Sequence, residues 1–478
     1  MKKQVALIFI LAALIANNYL QAQSPQKVPL KHGANRNEPR RTDAAMNTWR
    51  GHGLGQFIHY GLYSILAGKW NGAYYNGAAE WIRSWNKMDK KAYDSLNKQF
   101  NPTAFNPLQW AAMGKQMGAK YVTITTKHHD GFCLWPSRYT NYTVANSPYK
   151  KDMIGPLVKA YDAKGIDVHL YFSVMDWSHP DWRTDIKSVD DSLAFERFKT
   201  FTTNQLLELV QLYPTIKGLW FDGTWDKSWK LNGAYSDYLE QLLKNKIPGL
   251  IIGSRLRADE WGNRGFDANG QLMGDYQQGW ERKLPKKIED LKGNDWDCIM
   301  TIPENGWGYA EKWLGHWKTT YELLEMLAHC VSMDGNFVIN FGPKGNGAFD
   351  DKEVKNAKEV GDWMQINNRA IYNCGYADGW EKQDWGYYTK PYNDSTTVYM
   401  IVFNTPISGN LKVLPPINRA IEKLTIVGQP VQVIGIEKLD YGASYIKVPE
   451  LNTKTEPFVI EVKLKTNTTI GTEQKAKT

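Results

Sequence analysis

Residues 216–223 are IKGLWFDG, an apolar run that ends in Asp222 and Gly223. Strands buried on both faces of a sheet are near-continuous apolar runs of this kind. The preceding segment, FKTFTTNQLLELVQLY (198–213), has apolar residues at spacings of three and four, which is typical of an amphipathic helix. A helix that leads into a buried strand ending in a carboxylate is the unit from which we predict the fold.

Seven further apolar runs accompany this one. They are QFIHYGLY (56–63), AKYVTITTKHHDG (119–131), DVHLYFSV (167–174), GLIIGSR (249–255), DYQQGWE (275–281), DCIMTI (297–302) and NFVINFGP (336–343). Helical spacing also occurs between them, in PLQWAAMGKQMG (107–118) and MIGPLVKAYDAKG (153–165). Eight strands that alternate with helices predict an α/β fold, a (β/α)8-like TIM barrel over residues 24–375. A doubly wound open sheet is the alternative.

The pattern changes after residue 375. Short β-rich runs follow, joined by Gly, Pro and Asn turns: TVYMIVF (397–403), EKLTIV (422–427), PVQVIGI (430–436), SYIKVP (444–449) and PFVIEVK (457–463). Because no helical segment separates them, we predict a C-terminal antiparallel β-sandwich over residues 376–466. Residues 467–478 are polar and charged, and we expect a disordered tail there.

The N-terminus has the layout of a secretory signal. Lys2 and Lys3 precede an apolar stretch from about Val5 to Ile15, and small and polar residues follow around Ala22. The apolar stretch is too short for a permanent membrane span. We therefore expect residues 1–23 to be removed and the mature protein to be periplasmic or secreted, with no membrane partner. A buried N-terminal helix is the alternative.

Composition indicates carbohydrate as the ligand class. The chain has 20 Trp, 26 Tyr and 16 Phe, and sugar rings pack their C–H faces on aromatic planes while the tryptophan N–H meets hydroxyls. A Trp-rich core would account for part of this content. The formal charge of +8 is spread along the chain, and without a basic stripe we expect no nucleic-acid partner.

The cysteines indicate neither a metal site nor a disulfide framework. Cys133, Cys298, Cys330 and Cys374 are far apart and form no CxxC pair. We therefore expect buried, unpaired thiols.

Polar side chains lie where the predicted strands end, which is where barrels of this type form their active sites. They are His59, His128, His129, Asp130, Tyr171, Trp220 and Arg255. Two carboxylates, Asp222 and Glu281, suggest glycoside hydrolysis, in which a retaining enzyme uses one as nucleophile and the other first as acid and then as base. The alternatives are an Asp-Gly turn for Asp222 and a solvated charge for Glu281.

The adjacent pair His128 and His129 raises the question of a metal site. Neighbouring residues of a strand point to opposite faces, and the common zinc spacings are absent from the sequence. We therefore expect no metal and favour imidazoles that bind sugar hydroxyls. A metal-dependent hydrolase is the alternative.

In these motifs the chain resembles the retaining α-L-fucosidases, which are glycoside hydrolases with a (β/α)8-like barrel and a C-terminal β-sandwich. The matching stretches, in family order over about residues 50–375, are QFIHYGLYS, AEWI, GAKYVTITTKHHDGFCLW, HLYFSVMDW, GLWFDGTWD and NGWGY. The resemblance implies an exo-acting hydrolase that releases α-L-fucose from a fucosylated oligosaccharide or glycoconjugate. It also implies that no cofactor is needed.

The resemblance also implies roles for individual residues. Asp222 corresponds to the family nucleophile. The residues implied to hold or surround the sugar are His59, Glu80, Trp81, His128, His129, Tyr171, Trp220, Arg255 and Trp307. Trp307 is expected near the C6 methyl group.

The acid/base is the least fixed of these roles. Glu281 is the expected residue, although it lies one position further along than in relatives, and Glu304 and Asp297 are its rivals. The chain also departs from the family at Tyr60, where relatives usually have Trp, and at Asp297, where many have Glu. Two alternative functions stay open: an α-L-galactosidase, and a non-catalytic glycan-binding protein on the same scaffold.

Overall fold

The computed structural model describes residues 40–465, except 76, 305, 314, 417–419, 430–434, 439–443 and 449–456. The expected signal (1–23), the expected tail (467–478) and most of the run at 430–436 lie outside the described residues.

Eight parallel strands form one sheet, and they coincide with the eight predicted runs. They are β1 (Leu54–Ile58), β2 (Tyr121–Lys127), β3 (Asp167–Ser173), β4 (Gly218–Asp222), β5 (Ile251–Ile252), β6 (Gln277–Glu281), β7 (Trp296–Thr301) and β8 (Gly335–Phe341). Their order in the sheet is β5-β4-β3-β2-β1-β8-β7-β6. Strand β8 therefore returns to β1, which confirms the predicted (β/α)8-like barrel.

Helices connect the strands. The longer ones are α1 (Ala44–Arg50), α2 (Pro107–Met117), α3 (Ile154–Asp162), α4 (Val189–Leu212), α5 (Gly233–Lys246), α6 (Thr320–Val331) and α7 (Asp351–Asn367). Short helices span Tyr63–Leu66, Ile82–Trp85, Lys90–Asp94 and Lys227–Lys230, and a small hairpin pairs Lys69–Trp70 with Ala73–Tyr74. Helix α2 illustrates the local signals: Asn106 caps its first turn, and the chain leaves it through Gly118 with φ 91°. None of the helices described is both long and apolar enough to cross a membrane.

Strands β5 and β6 lie at the two ends of the sheet and share no ladder. Residues 253–276 between them, all of which the structure describes, contain no helix. Instead, the Asp275 N–H donates to the Ile252 carbonyl (2.8 Å). The Asp275 carboxylate accepts hydrogen bonds from the Ile252 N–H (2.8 Å), Arg41 Nη1 (2.7 Å) and Lys244 Nζ (2.7 Å). We call these contacts the β5/β6 seam, and they close the barrel.

The C-terminal part is a two-sheet sandwich, as predicted. Its strands are β9 (Cys374–Gly375), β10 (Gly386–Pro391), β11 (Thr397–Val402), β12 (Asn410–Val413), β13 (Ile421–Ile426), β14 (Ile436–Lys438), β15 (Ser444–Lys447) and β16 (Phe458–Leu464). One antiparallel sheet has the order β9-β10-β11-β16-β13, and the other has the order β12-β15-β14. Met400 and Ile460 of the first sheet share a buried core with Leu411 and Ile446 of the second.

The sandwich packs on the barrel through α7. The Trp363 indole is 4 % exposed and donates its N–H to the Pro457 carbonyl (2.6 Å). Ile401 and Val459 of the sandwich belong to the same apolar cluster as Trp363. Barrel and sandwich therefore share one continuous core. All four cysteines are buried and unpaired, in agreement with the prediction.

Candidate active site

A cavity of about 440 Å³ opens at the carboxyl ends of the barrel strands. The predicted site residues that line it are His59, Trp81, His128, His129, Trp220, Asp222, Arg255, Glu281 and Trp307. Glu80 and Tyr171, which were also predicted, do not line it. The barrel therefore brings most of the predicted site together from segments far apart in sequence.

Asp222 is the last residue of β4 and lies among hydrogen-bond donors. Its Oδ1 accepts from Arg255 Nη1 (3.0 Å), and its Oδ2 accepts from the Tyr171 hydroxyl (2.9 Å). Nε2 of His129 lies 3.6 Å from Oδ2. Burial raises the pKa of Asp222, but the Arg255 charge, His129 and the Tyr171 hydrogen bond together outweigh it and lower that pKa. The side chain is therefore an ionised carboxylate near neutral pH.

Arg255 joins Asp222 to Glu281. While Nη1 contacts Asp222, Nη2 lies 2.5 Å from Glu281 Oε1. The guanidinium also lies over the Trp220 ring, 4.7 Å from its centroid, in a cation–π contact. Because Asp222 ends β4 and Glu281 ends β6, one side chain bridges the carboxyl groups of strands that are not adjacent.

Gln278 fixes the position of Arg255 across the seam. The side-chain Oε1 of Gln278 accepts a hydrogen bond from the backbone N–H of Arg255 (3.3 Å). The backbone N–H of Gln278 donates to Ser254 Oγ (3.0 Å). The Gln278 side chain crosses directly over Gly253, where an added Cβ would lie 2.1 Å from the Gln278 Cδ. Glycine at position 253 is therefore a condition for this arrangement.

His128 and His129 both line the cavity, although they are adjacent in sequence. They follow the end of β2, and the chain turns at Gly131 (φ 81°), so the alternation of a strand does not apply to them. Their ring centroids are 4.3 Å apart, while Asp130 accepts a hydrogen bond from the Tyr93 hydroxyl (2.9 Å). Within the described residues no group of three or more His, Cys, Asp or Glu side chains could hold a metal ion.

Hydrogen bonds assign the tautomers of two cavity histidines. Asn340 Nδ2 donates to the Trp307 carbonyl (2.7 Å), so its Oδ1 accepts from His59 Nδ1 at 2.6 Å. Ser173 Oγ donates to a backbone carbonyl (2.7 Å) and therefore accepts from His129 Nδ1 (2.6 Å). With Nδ1 protonated, the neutral form of each ring has Nε2 as an acceptor.

The three cavity histidines are neutral near pH 7. Burial lowers the pKa of His59 to about 3 and that of His129 to about 4. Burial also lowers the pKa of His128 well below its usual value, and the neighbouring His129 and His59 add to this effect. Neutral imidazoles both accept and donate hydrogen bonds, which suits them to hydroxyl groups.

Glu80 lies behind the cavity wall. Its Oε2 accepts the backbone N–H groups of Gly308 (2.9 Å) and Trp307 (3.3 Å). Burial raises the pKa of Glu80 to about 7. Tyr171 also lies one layer back, with its ring parallel to that of His128 at 5.5 Å between centroids. Both residues support wall side chains from behind.

The rivals of Glu281 lie outside the cavity. Glu304 has a side chain that is 47 % exposed and pairs with Lys318 Nζ (2.7 Å). Asp297, in β7, is 2 % exposed, and burial raises its pKa well above the usual range. Of the three candidate acids, only Glu281 lines the cavity.

The cavity residues that the sequence had not indicated include Trp225, Arg264 and Arg282. Trp225 follows Asp222 by three residues, so the strand-end rule could have found it. Arg282 directly follows Glu281, and its guanidinium lies 5.6 Å from the Trp307 ring centroid. Arg264 lies in the helix-free segment between β5 and β6, for which the sequence held no signal.

The sequence of the chain is similar to those of known alpha-L-fucosidases. The family model for alpha-L-fucosidase matches residues 21–369. An alpha-L-fucosidase from Branchiostoma floridae is 30 % identical over 400 residues, which cover 78 % of this chain and 82 % of that relative.

Solved structures agree with the sequence relatives. A crystal structure of an alpha-L-fucosidase GH29 from Bacteroides thetaiotaomicron has a TM-score of 0.88 and 52 % identity, covering 92 % of this chain and 98 % of that one. A second structure from the same organism is a trapped covalent intermediate in complex with 2-fluoro-fucosyl fluoride, made with a Glu-to-Gln mutant. It has the same TM-score and identity, and the match covers 92 % of this chain and 100 % of that one. The chain is therefore a glycoside hydrolase and belongs to the alpha-L-fucosidase family.

Proposed function

We propose that this chain is an exo-acting enzyme that removes terminal α-L-fucose from glycans with net retention of configuration. The observation that carries the proposal is the contact of Arg255 with both Asp222 (3.0 Å) and Glu281 (2.5 Å). Two carboxyl groups on one guanidinium favour the separation of about 5–5.5 Å typical of retaining enzymes over the roughly 6.5–9.5 Å of inverting ones. The covalent intermediate trapped in the Bacteroides relative also supports retention.

Asp222 is the proposed nucleophile. Its ionised carboxylate attacks the anomeric carbon of fucose, and the bond from that carbon to the leaving oxygen breaks. Glu281 donates its proton to the leaving oxygen in the same step. The products are a fucosyl ester of Asp222 and the free aglycone.

Glu281 then acts as a base in the second step. It takes a proton from water, the water oxygen attacks the anomeric carbon, and the Asp222 carboxylate leaves. The proton taken from water restores the acid form of Glu281 for the next turnover. Two inversions at the same carbon give net retention.

The cavity wall supports a sugar with hydroxyl groups and one apolar end. His59 and His129 each present Nε2 as an acceptor in the neutral form, while Trp220 and Trp307 contribute aromatic surface. The cavity is built from the ends of many strands, which supports binding of one terminal residue and hence exo action. We propose Trp307 as the contact of the C6 methyl group.

Hydrolysis of p-nitrophenyl α-L-fucoside tests the proposal. We expect activity in the wild type and a loss of about 10⁴-fold or more in Asp222→Ala, because the covalent step is removed. We expect Glu281→Ala to be slow but accelerated by azide, with fucosyl azide of retained configuration as the product. Glu304→Ala is the matched control and should keep its activity, because Glu304 pairs with Lys318 outside the cavity.

Two results would contradict these assignments. Normal turnover by Asp222→Ala would exclude it as nucleophile, and a near-normal Glu281→Ala beside an inactive Glu304→Ala would move the acid/base. The first anomer released, followed by NMR, should have the configuration of the substrate. Release of the inverted anomer would reject the retaining mechanism.

The α-L-galactoside is the critical second substrate, because L-galactose differs from L-fucose by a hydroxyl on C6. We expect higher kcat/KM for the fucoside, by about 10²-fold or less, since an apolar wall rejects an added hydroxyl only modestly. Trp307→Ala should lower the ratio of kcat/KM for the fucoside to kcat/KM for the L-galactoside. A wild type that prefers the L-galactoside would identify the alternative function instead.

We also propose that the protein is exported, to the periplasm or beyond. The support lies in the sequence, where Lys2 and Lys3 precede a short apolar stretch. N-terminal sequencing of the mature protein after cell fractionation is the test. A cytoplasmic protein that retains Lys2 and Lys3 would contradict the proposal.

A further inference from the structure

Three tryptophan side chains extend from the cavity to the protein surface. Trp225 and Trp81 line the cavity, and Trp85 lies beyond them with 56 % of its surface exposed. The ring centroids of Trp225 and Trp81 are 5.9 Å apart with planes at 28°, and those of Trp81 and Trp85 are 6.1 Å apart at 24°. We call these three residues the tryptophan row.

The row begins beside the proposed nucleophile. Ring centroids of Trp81 and Trp225 lie 5.0 Å and 5.3 Å from that of His129, and His129 Nε2 is 3.6 Å from Asp222 Oδ2. Both indoles also line the cavity together with Glu281, the proposed acid for the leaving oxygen, so they border the space that a sugar bonded to fucose crosses to reach the surface. A second sugar, further from the bond, is within reach of Trp85.

Trp85 is exposed but held in place. The backbone at Gly77 lies against its ring so closely that an added Cβ would be 2.0 Å from Cζ3. Single exposed apolar residues are common, but this indole continues a row that starts in the active site and is fixed on its helix by its neighbours. A rigid aromatic surface binds ligands at low conformational cost.

We propose that the tryptophan row binds the leaving part of the substrate, with Trp85 contacting the second sugar beyond the fucose. Pyranose rings expose flat C–H faces that pack on indoles, so the ligand class is an oligosaccharide with at least two neutral pyranose units beside the fucose. This inference rests on the proposed fucosidase function and specifies its substrate. Among fucosides whose leaving groups have equal reactivity, those with small aglycones are then the poorer substrates because they leave Trp85 uncovered.

Two substrates separate this role from catalysis. 2′-Fucosyllactose carries two sugars beyond the fucose, whereas α-L-fucosyl fluoride carries none. We expect Trp85→Ala to lower the ratio of kcat/KM for fucosyllactose to kcat/KM for the fluoride by about tenfold, the scale of one lost aromatic contact. Trp85→Tyr, which keeps an aromatic face, should retain most of the ratio.

Tyr238→Ala is the matched control, since Tyr238 is 54 % exposed on α5 and does not line the cavity. An unchanged ratio in Trp85→Ala overturns the proposal, as does a wild type that cleaves the fluoride but not fucosyllactose. Activity on the fluoride reports separately on the proposed function and on folding. A wild type inactive on both substrates would reject the fucosidase function and, with it, this inference.

Discussion

Arg255 determines the charge state of the proposed nucleophile. Asp222 has only 14 % of its side chain exposed, and this partial burial alone would raise its pKa. Arg255 Nη1 opposes that effect from 3.0 Å, with help from His129 and the Tyr171 hydroxyl. In the proposed mechanism a neutral Asp222 could not attack the anomeric carbon, so there the ion pair would support catalysis as well as stability.

Replacing Arg255 by Met should therefore change the pH profile. Without the guanidinium the pKa of Asp222 rises, so the acid limb of kcat/KM should move to higher pH. We also expect kcat/KM at the pH optimum to fall by about 10²-fold or more, because charge stabilisation at the reacting centre is removed. Arg197→Met, at an exposed site, is the control. An acid limb that stays at the wild-type pH would contradict this account.

Glu353 predicts a pH dependence of folding stability. Its Oε1 accepts the Gly342 N–H (2.9 Å), while its buried Oε2 has no partner among the described residues. Burial raises the pKa of Glu353 from 4.5 to about 8. The folded state resists ionisation that the unfolded state accepts, so stability falls as pH rises from about 4.5 to 8.

Glu353→Gln should remove that loss. We expect a Tm close to wild type at pH 5 and above wild type at pH 8, measured by calorimetry. Glu359→Gln, on the same helix but 43 % exposed, should show no such crossover. A Tm difference that is equal at both pH values would show that ionisation of Glu353 is not its cause.

At the scale of elements, the β5/β6 seam combines side-chain contacts with isolated backbone hydrogen bonds in place of a regular ladder. The Asp275 carboxylate is fully buried and pairs with Arg41 and Lys244. Removing Asp275 would weaken the compensation of both cations, although Arg41 also pairs with Asp43 and Lys244 also pairs with Glu240. Since Arg255 and Glu281 lie just beyond the seam, its geometry also sets the contact between them.

Asp275→Asn should lower the free energy of unfolding by about 1.5–3 kcal/mol, because Arg41 and Lys244 each lose one of two carboxylate partners and keep Asp43 and Glu240 respectively. Urea unfolding is the measurement. Asp362→Asn, in an exposed pair with Lys358, should change it by about 0.5 kcal/mol or less. Equal effects of the two substitutions would show that the seam does not depend on charge.

The elements also show what the sequence could predict. Strand β2 is buried along its whole length, and its sequence YVTITTK, rich in β-branched and aromatic residues, predicts a strand. Most of the other barrel strands could be predicted in the same way. The β5/β6 seam could not be predicted from the sequence, because the backbone N–H of Ile252 donates to the carboxylate of Asp275, 23 residues away. That the side chains of His128 and His129 both point into the cavity could not be predicted either, because it depends on the turn at Gly131 after strand β2. Glu80 was expected at the cavity surface but faces backbone N–H groups, which no local pattern indicates.

At the scale of the molecule, barrel and sandwich share a core around Trp363. Because Ile401 and Val459 pack in that core, the two parts should unfold in one transition. Trp363→Ala should lower the free energy of unfolding by about 3–5 kcal/mol through the cavity it leaves. Leu212→Ala, 50 % exposed, should cost about 0.5 kcal/mol or less. Two separate calorimetric transitions in the wild type would contradict the shared core.

The missing ladder between β5 and β6 has a practical consequence. Strands β1–β5 form one contiguous part of the sheet and β6–β8 the other, joined through the β1·β8 register. A break in the chain at the Asn269–Gly270 turn cuts no strand and no helix. We therefore expect that the enzyme, encoded as two polypeptides divided at this turn, reassembles on mixing, with turnover as the reporter of association.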